Sequence, residues 1–264
     1  MKNKLIHPSA VIENGAQIAD DVSIGPFSYI GSKVTLHSKV QIKSHVVVTG
    51  ETEIGRETII YPFSVIGEIP QDLKFDGEDT RLKIGERNQI REHVTINIGT
   101  AGGGGLTSIG NDCLFMTGSH IAHDAKVNNN VIVANCGAVA GHCVIDDNVI
   151  IGGLSGIHQF VRIGRGAIIG AVTMVTNDVI PFGLVQGPRG SLDGLNIIGL
   201  KRNGVQRGDI TALRSAFQAL AQGDGTFQDR AKKLGEETSS EYVEAIANFI
   251  LGASDRSFLT PGDF

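Results

Sequence analysis

From Ile6 an aliphatic residue returns every six positions, at Ile12, Ile18, Ile24, Ile30, Leu36, Ile42, Val48, Ile54, Ile60 and Ile66. The beat resumes at Ile84, Ile90 and Ile96. It then slips by one residue and runs from Ile109 through Phe115, Ile121, Val127, Val133, Val139, Ile145, Ile151, Ile157, Ile163 and Ile169 to Val175. Four places after each beat sits a small or β-branched residue, as at Ala10, Val22, Ser28, Val40, Thr52 and Ser64. Strand residues an even number apart share a face, so each unit turns one large and one small side chain inward. A period of six does not keep one helical face apolar. The pattern predicts an all-β solenoid, a parallel β-helix of hexapeptide repeats. Three units close a triangular coil, and coils stack at strand spacing, ~4.8 Å. No coil buries its own apolar face, so stability comes from nearest-neighbour stacking.

Glycines follow many beats directly, as at Gly25, Gly31, Gly55, Gly67, Gly85, Gly110, Gly152, Gly164 and Gly170. They are expected at corners that need a backbone conformation other residues resist. The beat fails at 71–83 (QDLKFDGEDTRLK). Ile66 and Ile84 stand eighteen positions apart, the length of one coil, which predicts a loop pushed out of a coil that keeps register. It fails again at 101–108, which contains GGGG but not the Lys-Ser/Thr of a phosphate-binding P-loop. Beyond Pro181 the beat is gone. Residues 209–222, 226–234 and 239–251 read as helices, the last capped by Ser239 or Ser240. The predicted organisation is a prism over 1–186 and a C-terminal helical domain over 187–264 that covers its open end.

The net charge of −5 gives no reason to expect a nucleic-acid surface. Three cysteines, Cys113, Cys136 and Cys143, make no disulfide framework and suit a reducing compartment. No segment reads as a signal peptide or a membrane span, so the expected location is cytoplasmic, without stable membrane insertion.

Counting phases places Asn97, His123, His142 and His158 near one corner of four consecutive coils, with His120 just before. None occupies an inward position, so core packing does not explain them. Two chemistries fit: a metal site or an acid/base site. Asp124, next to His123, is placed to hold an imidazole tautomer. Gly141, next to His142, offers a backbone N–H for an oxyanion.

Five segments carry a resemblance: GSHIAHDAKV, AGHCVIDDNVIIGG, IHQFVRIG, LNIIGLKRNG and the loop IPQDLKF. Their ordered set closely resembles the UDP-N-acetylglucosamine O-acyltransferase family of lipid A biosynthesis. The resemblance implies a left-handed coil, an exception to the usual right-handed crossover. It also implies a homotrimer with active sites between neighbouring prisms. The implied reaction transfers an (R)-3-hydroxyacyl chain from acyl carrier protein to the glucosamine 3-position of a UDP-sugar, with no covalent acyl-enzyme, metal or cofactor. By the same resemblance His123 is the general base, Asp124 its orienting partner and Gly141 the oxyanion donor. Gln71, Asp72, Lys74, His120 and His142 match positions for the sugar, its phosphates or the acyl chain. His158, Gln159, Asn196 and Arg202 match positions around the nucleotide and the pantetheine arm.

The chain departs from the family pattern at several places. Asn97 stands where many members carry histidine near the sugar, and a 3-amino analogue of the acceptor would suit that change. Ala171 occupies the acyl-length position that is glycine in some long-chain members. Ile198 and Asn203 replace polar or charged residues near the nucleotide. Lys201, Arg202, Arg207, Arg162 and Arg165 are candidates to steer the acidic carrier protein. The alternatives are a γ-class carbonic anhydrase, with three histidines on zinc, a non-catalytic hexapeptide scaffold, and the sister N-acyltransferase of the pathway. That sister enzyme carries an extra N-terminal uridine-binding domain, for which the repeats leave no room.

Overall fold

The computed structural model describes residues 5–261. Short strands, most of two residues, form three sheets of nine, eight and ten strands among the described residues. Each sheet takes every third strand of the prism in chain order, which is the wrapping of a β-helix, and the coils wind left-handed. On the first face the beat residues stack directly: Ile12 on Ile30, then Val48, Ile66, Ile96, Ile121, Val139, Ile157 and Val175. From Ile30 onward this column is almost wholly buried. The small positions fill the space beside it, with Val22, Val34, Val40, Ala125, Cys143 and Ala167 also buried.

The glycine expectation needs correcting. At most corners the left-handed backbone residue falls three places after the beat, and it is usually not glycine: Lys39 (φ 59°), Asp124 (φ 59°), His142 (φ 62°) and Phe160 (φ 65°) all adopt it. The glycines directly after the beat serve close stacking instead. A Cβ on Gly55 would sit 2.5 Å from the Gly85 carbonyl carbon, and one on Gly110 would sit 2.7 Å from that of Asn128. Among them Gly67 (φ 81°) does take the left-handed conformation.

The first loop is also larger in register than its spacing suggested. Ile66 belongs to the first face, but Ile84 pairs with Ile54 on the second. The two are therefore on successive faces, and the intervening stretch is an excursion beyond a normal six-residue step. The second excursion ends at the strand Leu106–Ile109, which pairs with Arg81–Ile84.

Past the parallel strand Gly183–Gln186 the chain adds an antiparallel strand, Ser191–Leu195, which the repeat did not predict. Four helices follow: α1 (Ile197–Arg202), α2 (Arg207–Gln222), α3 (Phe227–Glu237) and α4 (Glu241–Leu251). Thr226 caps α3 in a reciprocal capping box with Asp229. Ser240 is the residue before α4, but its hydroxyl donates to Asp209 instead of capping. Ile210, Leu213, Phe217, Leu220, Val243, Ile246 and Ile250 form the buried side of this cap. A staple ties it to the prism: Arg162 Nε donates to Asp178 Oδ2 (2.6 Å), and its guanidinium donates to the Phe249 carbonyl and lies over the Phe249 ring.

Candidate active site

His123 and Asp124 occupy the corner that follows the strand His120–Ile121. Their side chains are 7% and 1% exposed. His123 Nδ1 lies 2.8 Å from Asp124 Oδ2. A carboxyl group this deeply buried has to be satisfied by hydrogen-bond partners. Asp124 Oδ1 accepts from the Thr100 backbone N–H (2.9 Å) and Oδ2 from the Thr100 hydroxyl (2.6 Å). The glycine-rich excursion is therefore folded over this carboxylate. A Cβ on Gly103 would fall 2.0 Å from the Asp124 Cγ, and one on Gly99 would fall 2.9 Å from Oδ1. Sequence reasoning missed Thr100. The signal available was the position of TAGGGG between Asn97 and the next coil, in the coil below His123.

With Nδ1–H donated to Asp124, the Nε2 lone pair of His123 is left available. Gly141 lies against that end of the ring, where an added Cβ would be 2.8 Å from Nε2 and 2.6 Å from Cε1. Gly141 N–H has no acceptor among the described residues. Next to the dyad, His142 packs edge-on against His123 (5.0 Å between centroids) and stacks flat on Phe160 (4.4 Å). Burial holds the His142 imidazole below its ordinary pKa, opposed by Asp124. Burial does the same to His120, which hydrogen-bonds Thr95 Oγ1 (2.7 Å).

A cleft of about 400 Å³ brings together Gln71, His120, His123, Gly141, His158 and Gln159 over a floor of small residues, including Ala122, Ala138, Ala140 and Gly156. The other sequence candidates are not on its lining. Lys74 is in the 71–83 loop, where its backbone N–H donates to Asp72. Asn97 is buried under the root of that loop, its amide donating to the Glu68 and Ile69 carbonyls and its Oδ1 left unpartnered among the described residues. Ala171 is exposed on another corner of the prism. Asn196 and Arg202 line a separate groove of about 810 Å³ with Arg165, Ile198, Asn203 and Tyr242. Asn196 also caps α1, accepting from Gly199 N–H. Arg162, expected among the steering cations, is instead committed to the Asp178 staple and 18% exposed.

The metal reading has a geometric basis. His123, Asp124 and His142 offer ligand atoms within 4.8 Å of one another. Yet the two inner donors already face each other, since His123 Nδ1 and the Thr100 hydroxyl both address Asp124 Oδ2. These contacts fix the orientation of the His123 imidazole.

Comparison with known proteins agrees with this architecture. A family model described as UDP-N-acetylglucosamine O-acyltransferase, domain 2, matches residues 178–259. The acyl-[acyl-carrier-protein]–UDP-N-acetylglucosamine O-acyltransferase of Paracoccus denitrificans is 63% identical over 203 residues, 77% of each chain. The enzyme of the same name from Agrobacterium fabrum is 43% identical over 97% of this chain and 95% of its own. The structure of LpxA from Acinetobacter baumannii superposes with a TM-score of 0.94 at 39% identity, covering 97% of this chain and 99% of that one. UDP-N-acetylglucosamine acyltransferase from Campylobacter jejuni gives 0.91 at 37% identity, covering 97% and 100%. This chain, an acyltransferase, belongs to the acyl-[acyl-carrier-protein]–UDP-N-acetylglucosamine O-acyltransferase family.

Proposed function

We propose that this acyltransferase moves an (R)-3-hydroxyacyl chain from acyl carrier protein to the glucosamine 3-position of a UDP-sugar, the first step of lipid A biosynthesis, by general-base catalysis. The observation that carries the mechanism is the buried His123–Asp124 pair in the small-residue cleft, with Gly141 against the free end of the imidazole. His123 Nε2 takes the proton of the attacking 3-hydroxyl as the oxygen bonds to the thioester carbonyl carbon. Negative charge builds on the carbonyl oxygen, which Gly141 N–H receives. As the C–S bond breaks, the imidazolium returns its proton to the departing thiolate. Atoms balance with no acyl-enzyme.

Gln71, His120, His158 and Gln159 hold the substrates within the cleft, and Asp72, Lys74 and His142 approach from its rim. Asn196 and Arg202 extend the site into the second groove. The working form is a homotrimer in the cytoplasm. Its support is one edge of the prism where Phe27, Phe63, Leu154 and Val172 are 52–67% exposed in the single chain. Exposed apolar side chains repeated along one edge, interleaved with His45 and His93, suit burial against a partner. Ala171 lies on that same edge, where a neighbouring copy brings it to the acyl chain.

Two acceptors fit, the 3-hydroxyl sugar and its 3-amino analogue. The test is incubation with a mixture of 3-hydroxyacyl carrier proteins and both UDP-sugars, with products identified by mass. A 3-acylated UDP-sugar is expected, and its mass reports both acceptor and chain length. Recovery of both substrates unchanged would contradict the proposal.

A further inference from the structure

The tail that follows α4 returns to the prism and places one arginine behind His158 and Gln159, two residues of the cleft. Its backbone is held independently of that arginine's side chain. Ser254 Oγ donates to buried Asp178 Oδ2 (2.6 Å) and accepts from Arg256 N–H (3.0 Å). Asp178 N–H donates to the Ser257 carbonyl (2.8 Å), and Leu259 N–H donates to the Asp178 carbonyl (2.8 Å). From this fixed base the Arg256 guanidinium makes two contacts on one edge. Nε donates to the Gln159 carbonyl (2.9 Å), and Nη2 lies 2.8 Å from His158 Nδ1.

A guanidinium has only donors. The 2.8 Å contact is therefore a hydrogen bond only when His158 Nδ1 carries a lone pair. The Gln159 carbonyl is 3.4 Å from the same nitrogen, a much longer contact than the 2.8 Å one to Arg256, and it also takes the Arg256 Nε–H. A proton on Nδ1 would set two donors against each other beside a fixed cation. The remaining proton of the ring is then on Nε2, which has no partner among the described residues. His158 and Gln159 both line the cleft.

We propose that Arg256 is a positioning residue that holds His158 as the neutral Nε2–H tautomer, so that His158 donates a hydrogen bond to a carbonyl or phosphate oxygen of a bound substrate. The inference rests on the proposed function for the identity of that substrate, but the tautomer itself does not. The fold gives the tail this task through the Asp178 staple, so the cap and the cleft meet at one side chain.

The direct test is 15N NMR of histidine-labelled wild-type protein near pH 8, with His158 assigned by its loss in His158→Gln. The expected spectrum has an unprotonated Nδ1 and a protonated Nε2. Arg256→Gln should shift the signal toward a mixture of tautomers, and Arg256→Lys should restore most of the wild-type pattern. In kinetics, Arg256→Gln should raise the KM of one substrate about tenfold, the worth of about one hydrogen bond, with kcat little changed. A rise for the acyl donor assigns the oxygen to its pantetheine amides, and a rise for the UDP-sugar assigns it to a phosphate. A wild-type His158 protonated on Nδ1 would overturn the proposal, as would an unchanged tautomer in Arg256→Gln. So would a changed tautomer with both KM values unmoved. The wild-type measurement needs no variant to fold, and it stands if the acyl transfer itself is refuted.

Discussion

At the residue scale the site is built by exclusion as much as by contact. Gly141 is glycine because the His123 ring occupies the place of its side chain. Gly141→Ala should push the imidazole off Asp124, lower kcat about tenfold or more and also lower the melting temperature, because a buried hydrogen bond is lost. Thr100 is the second supporting residue. Its hydroxyl and amide take both oxygens of a carboxylate that has almost no access to water. A hydrogen bond to a charged group contributes roughly 1.5–3 kcal/mol, and each ~1.4 kcal/mol is a factor of ten in rate. Thr100→Val should therefore lower kcat about ten- to a hundredfold with little effect on either KM. Thr100→Ser should recover most of it. Steady-state kinetics on the pair checks this, and a loss in Thr100→Ser with Thr100→Val unimpaired would mean that the methyl group, not the hydroxyl, matters.

At the scale of elements, the coil and the loops answer to different physics, and that difference sets what the sequence reveals. The beat at Ile12, Ile30 and Val48 is legible because inward packing acts on every coil alike. The histidine corner followed from the same counting, since Ile96, Ile121, Val139 and Ile157 do stack. The grasp of Asp124 by Thr100 was not legible, because an excursion has no period and its contact depends on how the loop folds back. Nor was the antiparallel strand Ser191–Leu195, which pairs only with the last strand it meets. The corner glycines make a prediction of their own. Gly110→Ala places a methyl 2.7 Å from the next coil's backbone. Overpacking of this kind costs about 1–3 kcal/mol, so the melting temperature should fall while the substrate KM values hold.

Over the whole molecule, stacked coils make a rigid rod whose ends and edges need covering. The cap covers one end through the Arg162–Asp178 pair, whose carboxylate is fully buried. Removing one partner of a buried ion pair is destabilising by about 3–5 kcal/mol, so Arg162→Ala should lower the unfolding midpoint and free the tail that carries Arg256. The thiols report on the same packing. Burial pushes Cys143 up to about 12 and Cys113 to about 11, so at neutral pH both stay protonated and inert. In the native protein alkylation should reach at most Cys136, and all three after denaturation, as counted by intact mass. Titration of the cleft works in the same direction as its burial. His120 and His142 have lowered folded-state pKa values, so the stability they contribute is present above the unfolded value of about 6.5. It is lost as pH falls from there through the folded values.

The central claim is that one oriented imidazole removes the acceptor's proton. The most direct measurement is turnover of His123→Ala beside wild type, with UDP-N-acetylglucosamine and a 3-hydroxyacyl carrier protein, on protein whose melting temperature and assembly state match. Loss of at least two orders of magnitude in kcat, with nucleotide binding retained, is the predicted result. Normal turnover in that variant would contradict the account.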